Sequence, residues 1–155
     1  MKQTVQFTLN GEVVTCIVDI RKSLLEMLRE DFSLIGPKEG CAVGECGACS
    51  VLVDEEAIDS CIYLAVWVDG KEVTTIEGIT KTDGSLADIQ QAFIDAGAVQ
   101  CGFCIPGMII SSSQFLKENP QPTRAEVRRA LSGNMCRCTG YQKIIEAVEL
   151  AASSK

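Results

Sequence analysis

The stretch Gly40-Cys41-Ala42-Val43-Gly44-Glu45-Cys46-Gly47-Ala48-Cys49 sets three cysteines at the spacing C-x₄-C-x₂-C, and Cys61 follows as a fourth. That is the ligand spacing of plant-type [2Fe–2S] centres, where a short loop wraps the metal and every ligand is a thiolate. Gly40, Gly44 and Gly47 suit such a loop, because they permit backbone angles closed to other residues and let amide N–H groups approach the sulfurs. A structural tetrathiolate zinc site is the competing reading. Zinc knuckles pair cysteines two to four residues apart on both sides, whereas one side alone is paired here.

Upstream of this loop, Val5, Phe7 and Leu9 alternate onto one face, Asn10-Gly11 gives a hairpin turn, and a second alternating run covers Val13 to Ile20. Cys16 shares a face with Val14 and Val18 and reads as core packing. Ser23 and Glu26 form a capping box for an amphipathic helix that the pattern extends to about Phe32. Downstream, Ser50 to Val53 reads as a strand, and further strand-like stretches surround Cys61 and Asp69-Gly70, closing near Val73 to Ile76. The expected product is a small sheet packed on one helix. Tyr63 and Trp67 read as core or interface residues.

After Gly78 the pattern changes. Thr80 to Ser85 is a polar linker, which divides the chain into units of 1–78 and 79–155. The second unit is helical throughout. Its first helix is expected from Leu86 to Ala96, with Leu86, Ile89 and Phe93 on one stripe and Gly97 as its C-terminal cap. A second opens around Pro106 and stops before Pro120, and a third begins at the Thr123/Glu126 capping box and ends at Gly133. A fourth covers about Tyr141 to Ala152. Short connections between four helices predict a bundle. At the junctions stand Cys101, Cys104, Cys136 and Cys138, spaced C-x₂-C and C-x-C, as a second candidate four-thiolate site. Helix N-termini following Cys104 and Cys138 would turn partial positive charge towards an anionic cluster. Zinc competes for this set too, since C-x₂-C serves both chemistries.

The composition narrows the chemistry. The 155 residues include nine cysteines and no histidine, which excludes Cys/His zinc fingers, Rieske centres and imidazole acid–base catalysis. The N-terminal residues alternate like a strand and lack the apolar core of a secretory signal, so a cytoplasmic setting is expected, where paired cysteines are more often ligands than disulfides. No apolar run is long enough for a membrane span. A net charge of −7 argues against nucleic acid as a partner. No base, nucleophile or nucleotide loop stands out, so no catalytic residue is assigned.

The Gly40–Cys49 run, together with Gln100-Cys101-Gly102-Phe103-Cys104-Ile105-Pro106-Gly107 and Asn134-Met135-Cys136-Arg137-Cys138-Thr139-Gly140-Tyr141, resembles the small iron–sulfur subunit of the molybdenum hydroxylases, the xanthine dehydrogenase family. The resemblance covers nearly the whole chain. It implies an α+β chain in which an N-terminal β-grasp ferredoxin-like domain precedes a C-terminal four-helix domain, each with one [2Fe–2S] cluster. It also implies a large partner subunit with a molybdenum-pterin cofactor and a medium partner with FAD. Electrons would pass from molybdenum through the helical-domain cluster and then the β-grasp cluster to FAD. Two positions that lie beside the pterin in this family fall on Gln100 and Cys138, with Gly102 close by through its backbone.

The stretch Ala57 to Ala65 looks most like bacterial xanthine or purine dehydrogenase subunits, which makes purine hydroxylation the expected reaction. Aldehyde, carbon monoxide, nicotinate and other aromatic hydroxylations stay open. So do a free-standing ferredoxin and, from a different class, a zinc-stabilised interaction module. One departure from the family is Glu55-Glu56 after Val53-Asp54, where relatives usually carry a glycine in the turn.

Overall fold

A computed structural model describes residues 1–153; Ser154 and Lys155, the end of the expected second unit, lie outside the described residues. β1 (Lys2–Leu9) and β2 (Glu12–Asp19) form an antiparallel hairpin in the register Val5↔Cys16 and Phe7↔Val14. Asn10 and Gly11 both have positive φ, as a two-residue primed turn requires. α1 (Leu24–Glu26) starts at the Ser23/Glu26 capping box, but from Met27 to Asp31 the chain winds as a π-helix, so the expected helix holds its span and changes its pitch. Leu24, Leu25, Met27 and Leu28 are all buried by this winding. β3 (Ser50–Val53), β4 (Glu56–Asp59) and β5 (Glu72–Thr74) complete a five-stranded mixed sheet in the order β2-β1-β5-β3-β4, with β1 and β5 parallel.

Strands flank this region as expected, β4 ending two residues before Cys61 and β5 starting two after Gly70, but the stretch between them is not strand. Cys61 lies in a turn after β4, Ala65–Val68 is a 3₁₀ turn, and Gly70 is a turn residue bonded to Gln6. The alternation there reflects Ala65 and Val68 reaching the core from a helical turn rather than from a strand. Trp67 is 54% exposed and meets Tyr63 edge-on, with ring centroids 5.2 Å apart.

The remaining elements are α2 (Ile76–Ile79), α3 (Asp88–Asp95), α4 (Ile105–Glu118), α5 (Arg124–Ala130) and α6 (Gln142–Ser153). α3 starts two residues later than expected, leaving Leu86 exposed and off the buried stripe of Ile89, Ala92 and Phe93. It ends in a Schellman motif: Gly97 (φ +64°) bonds back to Ile94 and Ala98 to Phe93. α5 stops three residues short of Gly133, because Leu131 to Asn134 form tight turns. Two apolar cores result. One joins Val5, Phe7, Leu28 and Val51 beneath the sheet; the other joins Phe93, Met108, Ile144 and Val148 among the helices, with Ile76 and Ile79 packed on it. Burying each such side chain contributes about 1.5–3 kcal/mol.

The turn between β3 and β4 shows what replaces the usual glycine. Asp54 and Glu55 carry φ of +49° and +71°, angles that cost a non-glycine residue roughly 1–2 kcal/mol. Glu55 gains only an exposed pair with Lys117, and glycine would lose more entropy on folding. Glu55→Gly is therefore expected to stabilise the chain by about 0.5–1 kcal/mol, raising the apparent Tm by roughly 1–4 °C. An unchanged or lower Tm in a thermal melt would refute this balance.

Candidate metal centres

The loop from Gly40 to Cys49 leads into β3 with little regular structure, so its shape depends on individual hydrogen bonds. The Sγ of Cys41 accepts the amides of Val43 (3.5 Å) and Glu45 (3.3 Å). These two bonds bring the Cys41 thiol down to about 6. Gly44 and Gly47 have positive φ, whereas Gly40 is required for space: a Cβ there would stand 2.8 Å from Cys46 Sγ. Cys49 is buried at the start of β3, and burial pushes its thiol up to about 12. The Ser60 hydroxyl donates to the Cys49 carbonyl at 2.6 Å, which holds the Cys61 turn against the loop.

The second set gathers where the helices meet. Cys104 is the N-cap residue of α4 and is buried, so its thiol too rises to about 12. Cys101 and Cys138 are exposed, with their sulfurs 3.5 Å apart. Burial raises the Cys136 thiol, but hydrogen bonds from Thr139 and from the amides of Cys138 and Thr139 bring it below the ordinary thiol range overall. Gln100 is exposed, and Gly102 has φ +81° in the turn ahead of Cys104.

Within each set the thiols come in twos. Cys101 and Cys138 are in sulfur contact, and the thiols of Cys41, Cys49 and Cys104 each feel one neighbouring thiol most directly, Cys46, Cys61 and Cys136 respectively. Two pairs suit a binuclear cluster, because each iron of a [2Fe–2S] rhomb takes two cysteine sulfurs beside its two sulfides. A single tetrahedral zinc would need four sulfurs around one point. Buried thiols that resist ionisation alone lose their protons to bound metal, whose charge inverts the local preference. The residues present thus fit the clusters. Cys16 stands apart, half-buried against the sheet core with its sulfur 3.8 Å from that of Met27.

The two sets are joined directly. The amide of Met135 donates to the Cys46 carbonyl at 2.9 Å, one residue from Cys136. Asn134, 6% exposed, donates from Nδ2 to the Gly47 carbonyl at 3.1 Å, and Gly107 of α4 packs against the same carbonyl. Composition and spacing leave these three contacts unannounced, since each links residues far apart in sequence. Asn134→Ala should cost about 0.5–1.5 kcal/mol by removing one buried hydrogen bond from a carbonyl that Ser50 still serves, measured as a shift in urea midpoint at constant m; a shift within error would deny the contact its role.

Large apolar side chains are left exposed beside these loops: Val43 and Ile62 at the first set, Phe103 and Met135 at the second. Such residues rimming one region mark a protein-contact surface. No helix is long and apolar enough to cross a membrane among the described residues.

Comparison with known proteins agrees with this geometry. The family described as "2Fe-2S iron-sulfur cluster binding domain" matches residues 7–75, and the "[2Fe-2S] binding domain" family matches residues 75–149. The chain is 51% identical over 147 residues to the xanthine dehydrogenase iron-sulfur-binding subunit of Escherichia coli O157:H7, covering 94% of this chain and 91% of that one. It is 47% identical over 150 residues to the nicotinate dehydrogenase small FeS subunit of Eubacterium barkeri, covering 97% and 95%. Among solved structures, quinoline 2-oxidoreductase from Pseudomonas putida 86 superposes with a TM-score of 0.95 at 40% identity over 99% of this chain and 95% of that one. Aldehyde oxidoreductase from Desulfovibrio gigas gives 0.92 at 39% identity over 97% of this chain, which spans 17% of that longer one. The chain carries two [2Fe–2S] domains and belongs to the family of small iron–sulfur subunits of the molybdenum hydroxylases, oxidoreductase complexes of the xanthine dehydrogenase and aldehyde oxidoreductase type.

Proposed function

We propose that this chain relays electrons from a large molybdenum-pterin subunit to a medium FAD subunit. Cys41, Cys46, Cys49 and Cys61 would hold one cluster in a β-grasp unit (1–78), and Cys101, Cys104, Cys136 and Cys138 the other in a four-helix unit (79–155). When bound, the clusters supply one-electron carriage between a two-electron oxidation and a flavin. The observation that carries the relay is the Met135 amide on the Cys46 carbonyl, which places one hydrogen bond between the two ligand loops. The buried Asn134 keeps those loops in register.

Exposed Cys138 and Gln100, with Gly102 beside them, form the face offered to the pterin partner. A partner seated there would exclude water from the Cys101–Cys138 pair. Val43 and Ile62, at the first set, suit the flavin partner. None of the nine cysteines is paired in a disulfide, in keeping with a cytoplasmic setting.

Purine hydroxylation is the leading reaction, supported by the xanthine dehydrogenase relative, and nicotinate hydroxylation is the second reading, supported by a relative of comparable identity. Anaerobic visible spectra of the native complex separate them. Xanthine should bleach the cluster absorption and nicotinate should not. Bleaching by nicotinate alone would move the reaction to the second reading, and bleaching by dithionite alone would refute both substrates while keeping the redox subunit.

A further inference from the structure

Cys136 is held by the two residues that open α6. The Thr139 hydroxyl lies 3.1 Å from Cys136 Sγ, and the Tyr141 amide donates to the same hydroxyl oxygen at 3.2 Å. With that oxygen accepting from Tyr141, its one hydrogen is left for the sulfur, and a metal-bound thiolate can only accept. The amide of Cys136 in turn donates to the Tyr141 hydroxyl at 3.0 Å. Tyr141 adopts φ +67°, a strained angle for a side chain of its size, and so brings both contacts onto one cysteine. Thr139 is half-buried, which shields the bond from water.

We infer that Thr139 is a tuning residue that raises the reduction potential of the helical-domain cluster through its hydroxyl bond to the Cys136 ligand. The inference rests on the proposed ligation by Cys136. Reduction makes a ligating sulfur more negative, so a donor aimed at it binds the reduced state more strongly. Removing that donor favours the oxidised state. The backbone donors at Cys41 serve the other cluster in the same sense, but no side-chain change can remove them. Thr139 is accessible to a clean test because valine keeps its shape.

The experiment is a potentiometric titration of the intact complex followed by electron paramagnetic resonance, comparing wild type with Thr139→Val, Thr139→Ala and Thr139→Ser. The Val variant should shift the helical-domain cluster's reduction equilibrium about tenfold towards the oxidised form, ~59 mV for a one-electron couple. Ser should stay near wild type, and the β-grasp cluster should not move in any variant. An unshifted Val variant with both clusters assembled would overturn the inference. So would equal shifts of both clusters, or failure of both Val and Ala to assemble the cluster while Ser does, since Thr139 would then serve structure rather than potential. A wild-type complex lacking a second cluster signal would instead overturn the ligand assignment on which the inference stands.

Discussion

Cys101→Ser is expected to remove one of the two cluster signals and stop turnover, while the signal of the other cluster persists. Cys101 lies 3.5 Å from Cys138, so in the proposed ligation the substitution would leave one iron with a single thiolate. The loss is confined because the contacts that reach the Cys41–Cys49 loop from the helical unit come from Met135, Asn134 and Gly107, none of which the substitution touches. In the proposed relay the remaining carrier would be cut off from the pterin partner, so turnover should fail outright. Electron paramagnetic resonance of the dithionite-reduced variant complex checks both halves of the statement. Loss of both signals together would show that the two units do not assemble independently.

Gly107→Ala is expected to destabilise the chain by about 3 kcal/mol, lowering the apparent Tm by roughly 6–12 °C. Helix propensity argues the other way, since alanine is better than glycine in a helix interior by about 1 kcal/mol. The contact decides. A Cβ on Gly107 would lie 2.1 Å from the Gly47 carbonyl oxygen, which is backbone in the cysteine loop and already accepts from Ser50 and Asn134. Either α4 retreats from the loop or the loop deforms, and both disturb the Cys46–Met135 bond. A thermal melt with unchanged Tm would contradict this packing.

The local elements were legible where the chain announces them in a few residues. The Asn10-Gly11 turn, both capping boxes, the Gly97 cap and the strand from Ser50 to Val53 follow from short-range chemistry, and the structure has each. Where tertiary packing chose between similar options, the pattern misled. Ala65 and Val68 reach the core from a 3₁₀ turn, and Leu86 matches the stripe of α3 but precedes the helix. The short helix Ile76–Ile79 was hidden by its length, since four residues give no periodicity to read.

The cysteine sets were visible from spacing, as spacing reflects the size of what the loop encloses. Their mutual contact was not. Asn134 and Gly107 look like ordinary turn and helix residues until Gly47 is brought against them from more than fifty residues away. Thr139 reads as part of a motif, and its contact with sulfur depends on the positive φ at Tyr141, for which no tyrosine in a sequence gives warning.

Each cysteine set is proposed to hold a two-iron cluster. Iron and acid-labile sulfide analysis of the intact complex, with electron paramagnetic resonance after dithionite reduction, tests this most directly. Two clusters require about four irons and four sulfides per copy of this chain and two distinct reduced-cluster signals. A colourless preparation with zinc in place of iron, or a single cluster signal at half that iron content, would contradict it.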